Sequence, residues 1–125
     1  MNNASERTVV VLGASDNPDR YSFRALRELV FHGFRAIPVH PHLQTIQGLP
    51  VHSSLEAITE PVDTVTIYVS PKHSSAMIDA IVKLNPKRVI LNPGAENPDL
   101  ERALDTAGIP ALHACSLVLL STGRF

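Results

Sequence analysis

The chain has 125 residues, the size of one domain, and its 44% hydrophobic and 18% charged residues are typical of a globular protein. The 11 basic and 12 acidic side chains give a net charge of -1, which excludes a general attraction to nucleic acid or to anionic membranes. The single cysteine, Cys115, excludes an internal disulfide and a zinc site with several cysteine ligands.

The N-terminal residues 1–7 are polar and lack the apolar stretch that a secretory signal contains. No segment approaches the roughly 20 apolar residues of a membrane-spanning helix. We therefore expect a cytoplasmic protein with one domain over residues 1–125 and a flexible N-terminus over residues 1–7. Neither nucleic acid nor a membrane is an expected partner.

Five short apolar runs, each followed by a polar or Pro/Gly-rich segment, are the predicted strands. The first has the sequence TVVVL at Thr8–Leu12 and is followed at once by Gly13. Continuous β-branched runs of this kind are typical of strands buried on both faces, as in a parallel sheet. The other four runs are residues 36–39, 64–69, 89–91 and 111–112.

Segments with helical spacing of apolar residues lie between these strands, and each would cover one sheet face. Residues 53–58 add one predicted helical turn. The alternation predicts an α/β fold: a single Rossmann-like, doubly wound domain with a five-stranded parallel sheet. The predicted helix starts are Ser70-Pro71 and Asn97-Pro98, and the predicted ends are Gly33, Asn85-Pro86 and Gly108. The apolar stripes are Ala25, Leu26, Leu29 and Val30, then Ala76, Met77, Ala80, Ile81 and Leu84, then Leu100, Ala103, Leu104 and Ala107.

The turn after the first strand is the first candidate site. Ligands of doubly wound sheets bind beyond the carboxyl ends of the strands, where the strand order reverses. Residues 13–18 (GASDNP) keep only the first glycine of the dinucleotide-binding fingerprint. Backbone N–H groups, the hydroxyls of Ser15 and Ser22, and Arg20 could together bind a pyrophosphate, with Ser22 as the predicted helix cap. A turn without a ligand is the alternative, and the motif alone does not choose between them.

The end of the second strand favours a ribose that carries a phosphate. An NAD-binding fold needs Asp or Glu at that position to hold the ribose hydroxyls, and this chain has His40 there. No acidic residue lies between Glu28 and Glu56, whereas the stretch contains Arg35, His40, His42 and His52. The sequence therefore suits NADP or coenzyme A better than NAD, because both carry an additional ribose phosphate.

Several short motifs, spread over residues 8–125, carry a family resemblance in combination. They are Gly13-x-Ser15-x-x-Pro18-x-x-x-Ser22, Ile37-Pro38-Val39-His40-Pro41, Pro61-Val62-Asp63, Ile90-Leu91-Asn92-Pro93-Gly94, and Cys115 with a short apolar tail. Together they resemble the small single-domain CoA-binding proteins, whose fold is similar to the CoA-binding domain of the succinyl-CoA synthetase α subunit. That family usually has Asn where this chain has His40.

The resemblance implies a protein that binds CoA or an acyl-CoA, with NADP less favoured, as a non-catalytic binding or regulatory module. It also implies site residues. Gly13, Ala14, Ser15, Arg20 and Ser22 would hold the pyrophosphate; His40 and Pro41 would lie near the adenosine; Ser70 and Pro71 would flank the nucleotide; Asn92, Pro93, Gly94 and Cys115 would lie toward the pantetheine.

Two residue patterns leave alternatives open. His40-x-His42 with His52 has the ligands for zinc, but solvated loop histidines are the more common case, and we expect no metal. Cys115 could be an inert buried thiol, a wall of the pantetheine channel, or a thiol that forms a mixed disulfide with CoA.

No paired base and nucleophile is visible in the sequence, so we expect a protein that is not an enzyme. Its alternatives are an NADP-binding oxidoreductase-like domain and a protein-interaction domain that has lost its ligand. A small α/β sheet often leaves an edge strand free, so the sequence also allows a homodimer.

Overall fold

The structure, a computed structural model, describes residues 7–125. Its strands are β1 (Thr8–Leu12), β2 (Arg35–Val39), β3 (Thr45–Ile46), β4 (Leu49–Pro50), β5 (Thr64–Ile67), β6 (Arg88–Leu91) and β7 (Ala111–His113). Five of them form a parallel sheet in the order β2-β1-β5-β6-β7. The predicted single Rossmann-like domain with a five-stranded parallel sheet is therefore confirmed, and each predicted strand is present.

Helices cover both faces of this sheet. They are α1 (Tyr21–Phe31), α2 (Pro71–Ser74), α3 (Ile78–Leu84), α4 (Pro98–Ala107) and α5 (Ser116–Ser121), with 3-10 turns at Leu55–Ala57 and Ser75–Met77. Val9 and Val11 of β1 pack with α1 and α5 on one face, whereas Val10 and Leu12 pack with α3 and α4 on the other. Alternate residues of one buried strand thus supply both halves of the core, as the continuous apolar run predicts. Within residues 7–125, no helix combines the length and hydropathy that crossing a membrane requires.

Most predicted helix boundaries are confirmed. The Asn97 side chain accepts hydrogen bonds from the N–H groups of Asp99 and Leu100 at 3.1 and 3.3 Å, as an N-cap does. Pro71 and Pro98 occupy the first positions of α2 and α4.

The structure corrects the sequence prediction at the start of α1 and in the apolar stripes of the helices. Helix α1 begins at Tyr21, so Ser22 is a buried residue of its first turn and not its cap. The loop before α1 contains a turn over residues 17–20, because the Arg20 N–H donates to the Asn17 carbonyl at 3.0 Å. Val30 is 47% exposed and lies outside the buried stripe of α1. Ala76 and Ala107, which the sequence also placed in apolar stripes, are exposed as well.

Two elements were missed by the sequence prediction. The β3–β4 hairpin turns at Gln47 and Gly48, which both have positive φ, at 53° and 77°. Helix α5 occupies the segment that the sequence suggested only as an apolar tail.

The amino edge of the sheet is closed by arginine and aromatic side chains. Arg7 and Arg88 donate to the Phe125 carbonyl at 3.1 and 2.8 Å, and Arg7 also lies 3.4 Å from the Asp63 carboxylate. The Phe125 ring packs edge-on against Phe34, with ring centres 5.2 Å apart. Arg7 is thus held by contacts, while the rest of the predicted flexible N-terminus lies outside the described residues.

The turn at the carboxyl end of β1 makes the tightest contact that we find around a glycine. Gly13 has φ of 88°, and a Cβ at this position would lie 2.8 Å from Val69 Cγ1, 3.2 Å from Val69 N and 3.3 Å from the Tyr68 carbonyl carbon. Two of these three neighbours are backbone atoms that cannot rotate away. The first turn can therefore approach the end of β5 only if residue 13 has no side chain.

We expect Gly13→Ala to lower the free energy of unfolding by about 2–5 kcal/mol, because it adds a steric clash to the cost of a positive φ. Gly108→Ala is the matched control, since Gly108 has φ of 75° but open space where a Cβ would lie. The control should cost only about 1–2 kcal/mol. Urea denaturation measures both, and equal losses in the two variants would contradict the close-approach argument.

Candidate functional site

A cleft of about 620 Å³ opens at the carboxyl ends of β1, β2 and β5, where the strand order reverses. Its walls are mainly apolar and come from Leu12, Val39, Leu55, Val69, Met77 and Ala80. Its polar lining comes from Ser53, Ser54, Glu56, Asp79 and Lys83. Apolar walls with a small number of polar groups are typical of a site for a small molecule.

The first turn borders this cleft through Gly13. The buried Ala14 donates its N–H to the Val39 carbonyl at 3.2 Å, which fixes the turn to the end of β2. Ser15 Oγ accepts the Asn17 N–H at 3.0 Å, and Asn17 Oδ1 accepts the Asp19 N–H at 3.0 Å. The turn is therefore ordered by its own hydrogen bonds, with no bound anion required.

Arg20 and Ser22 differ in their access to this turn. Arg20 is exposed, and within residues 7–125 its guanidinium forms no ion pair with a carboxylate. Ser22 is buried, so its hydroxyl is less accessible to a ligand at this turn. Of the predicted pyrophosphate residues with charged or hydroxyl side chains, Arg20 and Ser15 are the more accessible.

His40 and Pro41 directly follow β2, and Pro41 lines the cleft. His40 Nδ1 accepts hydrogen bonds from the N–H groups of His42 and Leu43 at 3.0 and 3.1 Å. The His40 N–H donates in turn to the His52 carbonyl at 3.1 Å. The ring is thereby held in a fixed orientation at the end of the strand.

The His40 and His42 rings lie edge to face, with ring centres 6.0 Å apart. His40 Nδ1 is occupied by backbone N–H groups, whereas the buried His52 Nδ1 has no partner among the described residues. Over residues 7–125, no three His, Cys, Asp or Glu side chains are placed so that they could hold a metal ion.

Asn92 follows β6, and its side chain is directed into the protein. Its Nδ2 donates to Thr66 Oγ1 at 2.7 Å and to the Ile67 carbonyl at 2.9 Å, and its Oδ1 accepts the Ser116 N–H at 2.8 Å. The Thr66 and Ser116 hydroxyls are bonded to each other at 2.8 Å. Asn92 therefore joins β5, β6 and α5, and any contact with a ligand in this loop would come from its exposed neighbours Pro93 and Gly94.

The remaining predicted residues lie at the same edge of the sheet. Ser70 and Pro71 are exposed at the start of α2, and Ser70 Oγ lies 3.1 Å from His73 Nδ1. Cys115 is half-buried and immediately precedes α5. All thirteen predicted site residues thus surround the carboxyl edge, but among them only Gly13 and Pro41 line the main cleft.

Sequence reasoning missed most of the cleft. It searched for a ribose carboxylate only at the end of β2, whereas Glu56 reaches the cleft from the 3-10 turn and Asp79 from α3. The spacing of Ala76, Ala80 and Lys83 could have indicated one helix face. Which helix face lines the cleft depends on packing that the spacing alone does not specify.

The family comparison identifies the class of protein. Residues 7–121 match the model of a family described as a CoA binding domain, and the chain belongs to that family. A curated relative, the uncharacterized protein YneT of Bacillus subtilis, is 34% identical over 62 residues, which are 50% of this chain and 46% of YneT. The matched region therefore spans about half the length of that relative.

Solved structures share the whole fold. The structure of cell-free ID.343 from Thermus thermophilus has a TM-score of 0.87 and 31% identity, covering 95% of this chain and 90% of that one. The dinucleotide forming acetyl-coenzyme A synthetase 1 of Ca. Korarchaeum cryptofilum, in complex with phosphate and ADP, has a TM-score of 0.75 and 25% identity. That match covers 89% of this chain but only 26% of the synthetase.

Tyr68 lies just after β5, and its hydroxyl is buried without a hydrogen-bond partner among the described residues. Burial raises the pKa of Tyr68 from 10.0 to about 12; the nearby Thr66 and Ser116 hydroxyls oppose this shift. The folded protein thus retains this proton at a pH where the unfolded chain loses it. The contribution of this pKa difference to the free energy of unfolding is fully present below pH 10 and is lost as the pH rises toward 12.

We expect Tyr68→Phe to be at least as stable as the parent at pH 7, because it removes a buried hydroxyl that is not hydrogen-bonded. Between pH 10 and 12 the parent should lose up to about 2.7 kcal/mol relative to the variant. Urea denaturation at pH 7, 10 and 12 measures the difference, and other titrating groups cancel in the comparison. Parallel pH profiles for the two proteins would be the contrary result.

Proposed function

We propose that this protein binds CoA or an acyl-CoA at the carboxyl edge of its sheet and acts as a non-catalytic binding module. The observation that carries the proposal is the apolar cleft beside the Gly13 turn, in a chain whose residues 7–121 match a CoA binding domain. The cleft supplies space for adenine, and the adjoining turn supplies N–H groups and Arg20 for the pyrophosphate.

The pantetheine would then extend away from the cleft, past Ser70 and Pro71 toward Pro93, Gly94 and Cys115. These residues are accessible at least in part, and they follow β5, β6 and β7, which are successive neighbours in the sheet. Cys115 would lie beside the pantetheine as part of the wall. The direction follows from the strand order, because the ligand starts at β1 and can continue across the remaining carboxyl ends.

NADP is the second candidate ligand. It shares the adenosine, the pyrophosphate and an additional ribose phosphate with CoA, and His40 at the end of β2 suits both. The name of the Korarchaeum synthetase, which shares 25% identity with this chain, favours CoA.

The non-catalytic role rests partly on Tyr68, the residue after β5 at the same edge of the sheet. Burial holds the pKa of Tyr68 near 12, so its hydroxyl is a poor general base at neutral pH.

Thermal unfolding with CoA, acetyl-CoA, NADPH and NAD tests the proposal directly. A ligand at about 100 times its dissociation constant adds roughly 2.7 kcal/mol of stability. We expect CoA or acetyl-CoA to stabilise the protein most and NAD least. A larger effect of NADPH would replace the proposed ligand by NADP, and no effect of any nucleotide would favour the interaction domain that has lost its ligand.

The role of the first turn is tested at Ser15. Because Asp and Asn can both accept the Asn17 N–H that Ser15 Oγ now accepts, Ser15→Asp and Ser15→Asn should each preserve the turn. Ser15→Asp should weaken CoA binding at least about 100-fold through repulsion of the pyrophosphate, and Ser15→Asn should weaken it far less. Calorimetry measures both affinities. Equal affinities for the two variants would mean that the turn does not contact the pyrophosphate.

A further inference from the structure

The two ring nitrogens of His40 have different surroundings. Nδ1 accepts the N–H groups of residues 42 and 43 at 3.0 and 3.1 Å. A nitrogen that accepts two N–H donors carries no proton of its own, so in this geometry the ring hydrogen lies on Nε2. Nε2 has no partner among residues 7–125, and it is not one of the buried unpartnered atoms. His40 therefore presents one solvent-accessible N–H donor.

The same hydrogen bonds shape the mouth of the cleft. They close a turn over residues 40–43 in which Pro41, the next residue, lines the cleft. The His40 backbone is also fixed, because its N–H donates to the His52 carbonyl at 3.1 Å. Both the side chain and the backbone of residue 40 thus hold the end of β2 in place.

We propose that His40 determines the preference of the site for a nucleotide with a ribose phosphate, and that it does so as a neutral hydrogen-bond donor. Nδ1 positions the turn that carries Pro41, and Nε2–H donates to an oxygen of the phosphate on the ribose. This inference rests on the proposed function, and it adds the residue that distinguishes CoA from dephospho-CoA.

Substitutions separate the two nitrogens. Asn can place its side-chain oxygen where Nδ1 is, so His40→Asn keeps the acceptor for the turn, but its shorter side chain does not reach the position of Nε2. His40→Ala removes both groups. His42→Asn is the matched control: it keeps the backbone N–H that donates to His40 Nδ1, and it removes only the ring that packs edge-on against His40 at 6.0 Å.

Calorimetric titration with CoA and with dephospho-CoA gives two readouts. The affinity for dephospho-CoA reports on the turn over residues 40–43. The ratio of the CoA and dephospho-CoA affinities reports on the Nε2–H donor of His40. The parent and His42→Asn should prefer CoA by about tenfold, as expected for a hydrogen bond to a charged group. His40→Asn should bind dephospho-CoA within about threefold of the parent but lose the preference. His40→Ala should lose the preference and also bind dephospho-CoA more weakly.

Nitrogen chemical shifts of the His40 ring supply a readout that does not depend on ligand affinity. We expect Nδ1 to show the shift of an unprotonated nitrogen, and Nε2 to move when CoA is added but not when dephospho-CoA is added. A protonated Nδ1, or an unchanged affinity ratio in His40→Asn, would overturn the inference while CoA binding itself stands. Failure of the parent to bind either ligand would instead remove the proposed function and this inference together.

Discussion

The close contact between the Gly13 turn and the end of β5 is the constraint on which the carboxyl edge depends. Because β1 lies between β2 and β5, the chain leaving β1 must pass directly over one of its neighbours before it enters α1. It passes over Val69 at a distance that leaves no room for a Cβ. The Ala14 N–H then bonds to Val39 in β2, so a single turn joins the ends of three strands. The cleft is the space that remains beside this junction.

A second connection fixes the other half of the same edge. The buried Asn92 side chain bonds to Thr66 and Ile67 in β5 and to the Ser116 N–H at the start of α5. Both the nitrogen and the oxygen of this amide are hydrogen-bonded inside the protein. Replacing Asn92 by an apolar residue would therefore leave its buried partners unpaired. The resemblance suggested a ligand contact for Asn92, and the structure gives its side chain a structural role. A polar residue at the end of a strand can therefore belong to the scaffold while its exposed neighbours remain available to a ligand.

Local patterns were enough to predict the sheet and most of the helix boundaries. The run at Thr8–Leu12 could only be buried on both faces, and Asn97-Pro98 could be recognised as a helix start from two residues. The cleft could not be predicted in the same way, because Glu56 and Asp79 meet only after the 3-10 turn packs opposite α3. The β3–β4 hairpin was missed because its turn uses Gln47 rather than the usual Asn or Asp before glycine. Prediction from sequence thus succeeded for buried strands and capped helices, whose patterns lie in a few neighbouring residues. It failed where a turn has an unusual residue and where distant segments together form a surface.

The charges around the cleft indicate how an anionic nucleotide would be recognised here. Lys83 is the one cationic residue among those that line the cleft, and Glu56 and Asp79 line it too. His40 presents a neutral donor in this geometry, and Arg20 stands at the first turn. In the proposed complex, oriented N–H groups would supply most of the recognition of phosphate, because the local charges nearly cancel. Such dipoles act only at hydrogen-bond distance and do not attract ligands over a long range. The rigid turns at Gly13 and His40 would therefore matter for the proposed binding, since donors of this kind are effective only when the backbone holds them in position before the ligand arrives.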